Sequence, residues 1–167
     1  MSMQVGLLTV SDRASRGEYE DKAGPLMAEI LTGRTDWQVA RQSIVADEVE
    51  EIAAALRAWC DEGLHLILTT GGTGFAPRDV TPEATKAVIE RETPGIAEAL
   101  RAESLKITRH AMLSRGVAGI RGRTLIINLP GNPKAVKESL DILLPVLPHA
   151  LDLLTQAPHT EDQHRRL

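Results

Sequence analysis

Short apolar runs alternate with amphipathic stretches along most of the chain. Val5 to Val10 is mostly apolar and reads as a buried strand, and Trp37 to Val45 alternates as a second strand would. Leu64 to Leu68 predicts a third. Val117 to Ile120 and Thr124 to Leu129 are β-prone runs around Arg121-Gly122-Arg123, the pattern of a hairpin. Helical signals lie between these runs. Pro25 to Leu31 predicts a helix stopped by Gly33. Asp47 opens an amphipathic helix with Val49, Ile52, Ala53, Leu56, Trp59 and Cys60 on one face, and Asp47 with Glu50 has capping-box spacing. Thr81-Pro82-Glu83 and Thr93-Pro94 each predict a capped helix start with proline in the first turn, the second helix running toward Lys106. Asn132 as N-cap and Pro133 at the first helical position open a helical stretch to about Gln156, interrupted by Pro145 and Pro148. Ala14 to Asp21 reads as a polar loop, and His159 to Leu167 as a polar tail.

Strands that alternate with helices predict an α/β fold: a three-layer sandwich with a mostly parallel sheet and one antiparallel pair. The 167 residues suit one domain, expected over residues 1–157 with the tail at 158–167. Ligands of such sheets bind beyond the carboxyl ends of the strands. The turns at Ser11-Asp12, at Val45 to Asp47, at Thr69 to Gly74 and at Pro130-Gly131 are the candidates for that edge.

Composition narrows the function classes. Aromatics are only 2% of residues and the net charge is −4, with no basic block, which argues against a nucleic-acid partner. No apolar run approaches membrane-span length, and the first residues lack signal-peptide character, so a cytoplasmic protein is expected. Cys60 is the only cysteine, so no internal disulfide forms, and its helical position predicts a core residue. His65, His110 and His149 lack metal-ligand spacing and read as structural or exposed.

The chemistry concentrates at the turns. In Thr69-Thr70-Gly71-Gly72-Thr73-Gly74 the glycines permit positive φ, so successive amides can converge on a phosphate oxygen, with Thr70 and Thr73 as hydroxyl donors. The motif is neither a Walker loop nor the dinucleotide fingerprint, and a plain tight turn is the competing reading. Arg78 and Asp79 follow at once. Asp79 is a candidate Mg²⁺ ligand or a helix-terminal charge. Asp47 is either an N-cap or a second carboxylate of the same site. Arg115 is either a bidentate phosphate ligand or a surface charge.

Residues Thr69 to Thr85, Thr-Thr-Gly-Gly-Thr-Gly-Phe-Ala-Pro-Arg-Asp-Val-Thr-Pro-Glu-Ala-Thr, closely resemble the MogA family of molybdopterin adenylyltransferases. Met112 to Gly122, Leu125 to Val136, and Thr-Val-Ser-Asp at Thr9 to Asp12 resemble its other motifs, in the family's order. The resemblance implies transfer of an adenylyl group from ATP to the terminal phosphate of molybdopterin, with Mg²⁺, by a homotrimer that hands its product to a molybdenum insertase. It carries Asp47 and Asp79 over as the functional and metal-binding aspartates, and Gly71, Gly72 and Gly74 as the phosphate loop. Ser114, Asn128, Pro130 and Gly131 become positions of the pterin or phosphate pocket, and Ser11 and Asp12 the turn near the nucleotide. Ala46 departs from the family, where proline often precedes the aspartate. Pro130 to Pro133 favours MogA over the sister MoaB group. A scaffolding role, known for related domains fused through a linker to a second domain, is disfavoured because the chain shows neither.

Overall fold

The computed structural model describes residues 2–156, so the predicted tail lies outside the described residues. One six-stranded sheet contains β1 (Gln4–Val10), β2 (Gln38–Val45), β3 (Leu66–Thr70), β4 (Arg91–Glu92), β5 (Ala118–Arg121) and β6 (Thr124–Leu129), in the order β2-β1-β3-β6-β5-β4. β2, β1, β3 and β6 run parallel. β5 lies antiparallel to β6, and the expected hairpin turns through Gly122-Arg123, with Gly122 at φ +58°. β4 adds a second antiparallel rung, Arg91 and Glu92 against Ile120 and Gly119. Two residues carry no periodicity, so this rung left no sequence signal.

The helices are α1 (Asp12–Ser15), α2 (Ala23–Arg34), α3 (Val49–Asp61), α4 (Thr81–Val88), α5 (Pro94–Leu105), α6 (Pro133–Leu143) and α7 (Leu147–Thr155), with a 3₁₀ turn at Arg109–Leu113. They cover both faces. On one, Met27 and Leu31 of α2, Leu100 of α5, Leu140 of α6 and Leu151 of α7 pack on Leu7, Leu68 and Ile127. On the other, Ile52, Leu56 and Trp59 of α3 and Val88 of α4 pack on Leu8, Ile67 and Ile126. β1, β3 and β6 thus send alternate side chains to two cores, which is why these central strands read as unbroken apolar runs. Among the described residues no helix is long and apolar enough to cross a membrane.

Several local expectations are revised. α1 interrupts the predicted Ala14 to Asp21 loop, because the Ser11 hydroxyl accepts the Ala14 amide and caps a single turn. Gly33 sits within the last turn of α2 instead of stopping it. α3 begins after Asp47, and its cap residue Glu48 makes no side-chain cap bond. α4 has Val80 as its cap; Thr81 is already helical, and its hydroxyl donates to the Gly71 carbonyl at 2.9 Å. Thr93 precedes α5 but makes no cap bond. Asn132 does cap α6, accepting from the Lys134 and Ala135 amides. Pro145 lies in the break between α6 and α7, and Pro148 in the first turn of α7.

Candidate active site

Parallel register brings the predicted turns together. Val10 pairs with Val45, Thr9 with Thr70, and Thr70 with Leu129, so the four chain segments leave the sheet side by side. Gly71 follows β3 at φ +96°, and a Cβ there would stand 2.4 Å from the Val10 carbonyl oxygen. Only glycine fits that approach. Gly72 follows at φ +68°. The Gly71 amide donates to the Leu129 carbonyl at 3.2 Å. The next three amides, of Gly72, Thr73 and Gly74, donate to no protein acceptor among the described residues. Successive free donors beyond a strand end suit an anion.

The two threonines of the loop differ. The Thr70 hydroxyl donates to the Pro130 carbonyl at 2.7 Å, tying the glycine loop to the last turn instead of facing a ligand as a donor. Thr73 is buried and lines the larger of two cavities beside the loop.

Two carboxylates flank the free amides. Asp47 Oδ1 lies 3.1 Å from where a Cβ on Gly72 would stand, and Asp79 Oδ2 lies 2.8 Å from the corresponding point at Gly74. Asp47 Oδ2 accepts the Asp12 amide at 2.8 Å, and Asp12 Oδ1 accepts the Asp47 amide at 3.0 Å. This reciprocal pair fastens the β1 turn to the β2 turn, and explains why Asp47 is not the cap of α3. Asp79 Oδ2 accepts the Ala76 amide at 3.0 Å. Burial raises the pKa of Asp47, and the nearby Asp12 and Asp79 charges push it the same way. Arg78 bonds both oxygens of Asp12 and one of Glu48, holding the Asp12 carboxyl below its ordinary range. Among the described residues no group of three or more His, Cys, Asp or Glu side chains could hold a metal.

The larger cavity, about 540 Å³, is bounded by Thr73, Gly74, Ser114, Asn128 and Pro130, and by residues of α5, the 3₁₀ turn and α6. Its size is typical of small-molecule pockets. The smaller, about 160 Å³, is bounded by Ser11, Tyr19, Asp21, Thr70, Gly71 and Gly131. The glycine loop therefore separates two cavities. Asn128 is at the wall, yet its amide nitrogen donates to the Thr69 and Thr85 hydroxyls while its oxygen accepts the Val117 amide. Its side chain is a buried cross-link. Ser114 accepts the Gly116 amide, and Gly131 packs its Cα side against Gly71.

Arg115 is not a free surface charge. Its guanidinium bonds the Gly74 and Asp79 carbonyls and the Glu83 carboxylate. His65 accepts the Gln4 amide, and His110 and His149 are exposed. Cys60 is half-buried against the second core, and burial pushes its thiol up. The contribution of α5 and the 3₁₀ turn to the larger cavity had no sequence signal, because Ala97, Leu100 and Ile107 look like ordinary helix residues.

Residues 6–149 match the family described as "Probable molybdopterin binding domain". The chain is 46% identical over 155 residues to molybdopterin adenylyltransferase of Helicobacter pylori J99, covering 92% of this chain and 88% of that protein. It is 45% identical to gephyrin of Dictyostelium discoideum, covering 96% of this chain but only 24% of that longer protein. Among solved structures, MoaB of Thermus thermophilus superposes with a TM-score of 0.87 at 55% identity, covering 95% of this chain and 99% of that one. A structure named MogA gives 0.86 at 41%, covering 90% and 99%. The higher identity goes to the MoaB structure, which the Pro130 to Pro133 turn did not foresee. A parallel sheet ending in a free-amide glycine loop, matched over nearly its whole length by these proteins, makes the chain a member of the molybdopterin-binding domain family that includes MogA and MoaB.

Proposed function

We infer that the chain is a molybdopterin adenylyltransferase, joining an adenylyl group from ATP to the terminal phosphate of molybdopterin and releasing pyrophosphate. The observation that carries the reading is the run of free amides at Gly72, Thr73 and Gly74, flanked by Asp47 and Asp79 and set between two cavities. A transfer between two phosphate-bearing substrates needs such a shared wall. The names of the relatives support the substrates.

In this reading the pterin occupies the larger cavity, against Ser114 and Pro130, and the nucleotide approaches along Ser11, Asp12 and Gly131. The molybdopterin phosphate oxygen attacks the α-phosphorus of ATP. The bond from that phosphorus to the bridging oxygen breaks, and its electron pair leaves with pyrophosphate. The chain's part is positioning and charge: the loop amides hold phosphate oxygens, and the Thr70 to Pro130 bond keeps the two turns in register. The donor set fits Mg²⁺, being two carboxylates and no nitrogen or sulfur, with phosphate oxygens left to complete the shell. Asp47 and Asp79 would hold the ion, which when bound neutralises charge on the polyphosphate. The raised pKa of Asp47 comes first from burial and then from the Asp12 and Asp79 charges, and a bound cation would favour its ionised form. The same reading carries a homotrimer, a cytoplasmic location, one domain over residues 1–157 and a separate molybdenum insertase as recipient.

Incubation with ATP, Mg²⁺ and molybdopterin should release pyrophosphate. Asp79→Ala should lose most of that release while retaining its circular dichroism. Ligand binding without turnover by the unaltered protein would make it a binding module instead.

A further inference from the structure

Arg115 takes no part in the chemistry above. The segment it touches, Thr73 to Glu83, carries free amides and Asp79; Thr73, Thr81 and Pro82 are buried near its ends, but burial does little to hold the stretch between them. Phe75, Ala76, Pro77 and Arg78 are all exposed, Phe75 by 68%. Its bonds are few: the Asp79 amide donates to the Ala76 carbonyl, the Ala76 amide to the Asp79 carboxylate, and the exposed Arg78 reaches out to Asp12 and Glu48. An exposed segment with so little apolar contact would open locally unless something else fixed it.

Arg115 bonds this segment at four points. Its amide donates to the Thr73 carbonyl at 2.8 Å, Nε to the Gly74 carbonyl at 2.8 Å, and Nη2 to the Asp79 carbonyl at 2.7 Å, while Nη1 pairs with Glu83. Only the planar fork of arginine reaches two carbonyls and a carboxylate at once; a lysine ammonium donates from a single point. Its neighbour Ser114 lines the larger cavity, so Arg115 links that wall to the carboxylate on the other side of the loop.

We propose that Arg115 is a positioning residue that fixes Gly74 and Asp79 relative to Ser114 before either substrate arrives, and that it is not a phosphate ligand. The catalytic consequence rests on the adenylyltransferase reading; the structural one does not. The test compares Arg115→Met, Arg115→Lys and Glu83→Ala by amide hydrogen exchange and by steady-state kinetics with ATP, Mg²⁺ and molybdopterin. In Arg115→Met, exchange at the Ala76 and Asp79 amides should rise at least tenfold while β3 and β6 stay protected. Its kcat should fall at least tenfold, with KM for both substrates within threefold. Arg115→Lys should recover part of both, and Glu83→Ala, which leaves the two carbonyl bonds, should sit close to the unaltered protein. Should Arg115→Met fail to fold, the lysine variant decides, since loss of loop protection there has the same meaning. Unchanged exchange at Ala76 and Asp79 would overturn the proposal. So would a tenfold rise in KM for either substrate with the loop still protected, which would make Arg115 a ligand. If the unaltered protein turns over nothing, the functional reading fails, and the exchange result still decides the positioning claim.

Discussion

Gly72→Ala tests the geometry on which the site depends. Gly72 has φ +68°, and an added Cβ would stand 2.3 Å from Thr81 Oγ1 and 3.1 Å from Asp47 Oδ1. The left-handed backbone alone costs a non-glycine residue about 1 kcal/mol. The clash adds more, because the Thr81 hydroxyl is fully buried and bonded to the Gly71 carbonyl. Rotating it away leaves a buried polar group unpaired, at about 1–3 kcal/mol. The sum, roughly 2–4 kcal/mol, is below the roughly 5–15 kcal/mol that holds a typical domain folded. The variant should therefore fold, with a Tm lowered by roughly 5–15 °C. Asp47 must also give way, and misplacement by about 1 Å can cost on the order of 100-fold in rate, so pyrophosphate release should fall at least tenfold. Gly122→Ala is the control. It has φ +58° and nothing within 4 Å of the added atom. It should lose only the backbone term, roughly 2–4 °C in Tm, with full activity. Thermal melts and pyrophosphate release, measured on both variants in parallel, make the comparison. If Gly72→Ala matches Gly122→Ala in both, the crowded loop is not the site and the reasoning fails.

Other expectations follow from the same contacts. Asp47 has a raised pKa, so the folded state holds its proton more tightly than the unfolded chain, and this group's stability contribution is lost as pH rises above the ordinary value of 3.8. Asp47→Asn keeps an oxygen for the Asp12 amide and removes the charge. It should melt higher than the unaltered protein at pH 7, an advantage that shrinks as pH falls toward 4, while adenylylation is lost; a lower Tm at pH 7 would show that burial and the neighbouring charges do not disfavour the carboxylate. Asn128→Ala removes bonds to Thr69, Thr85 and the Val117 amide, all inside the protein. It should lower stability by about 2–4 kcal/mol by urea titration, and a change in molybdopterin KM with unchanged stability would instead mark a direct ligand.

The sheet was largely legible because its strands obey a simple rule. Leu66 to Leu68 and Leu125 to Ile127 are buried on both faces and so appear as continuous apolar runs. The helix starts were half legible. Asn132 caps as its chemistry suggests, whereas Asp47, Thr81 and Thr93 sit at similar positions and do not. Tertiary partners took two of those side chains first: Asp12 for Asp47 and the Gly71 carbonyl for Thr81. A capping residue seen in sequence is only a polar group near a helix start, and nothing local says which acceptor or donor will win it.

The site shows the same limit in a more useful form. Glycines Gly71 and Gly72 were legible, because positive φ is a local property and few residues supply it. Roles that depend on long-range pairing were not: Thr70 looked like a donor to phosphate and donates to Pro130, and Arg115 looked like a phosphate ligand and bonds carbonyls. Both pairings point the same way. A loop whose amides at Gly72, Thr73 and Gly74 donate to no protein acceptor is held there through its carbonyls, those of Gly72 and Thr73 accepting the Thr81 and Arg115 amides. Polar side chains add further supports, through carbonyls at Gly71, Gly74, Asp79 and Pro130. Those carbonyls accept, which leaves the amides of Gly72, Thr73 and Gly74 as the donors of the proposed phosphate site. The motif's run of hydroxyl and guanidinium residues beside glycines is thus explained by what the glycines lack, a second set of bonds that does not compete with the anion.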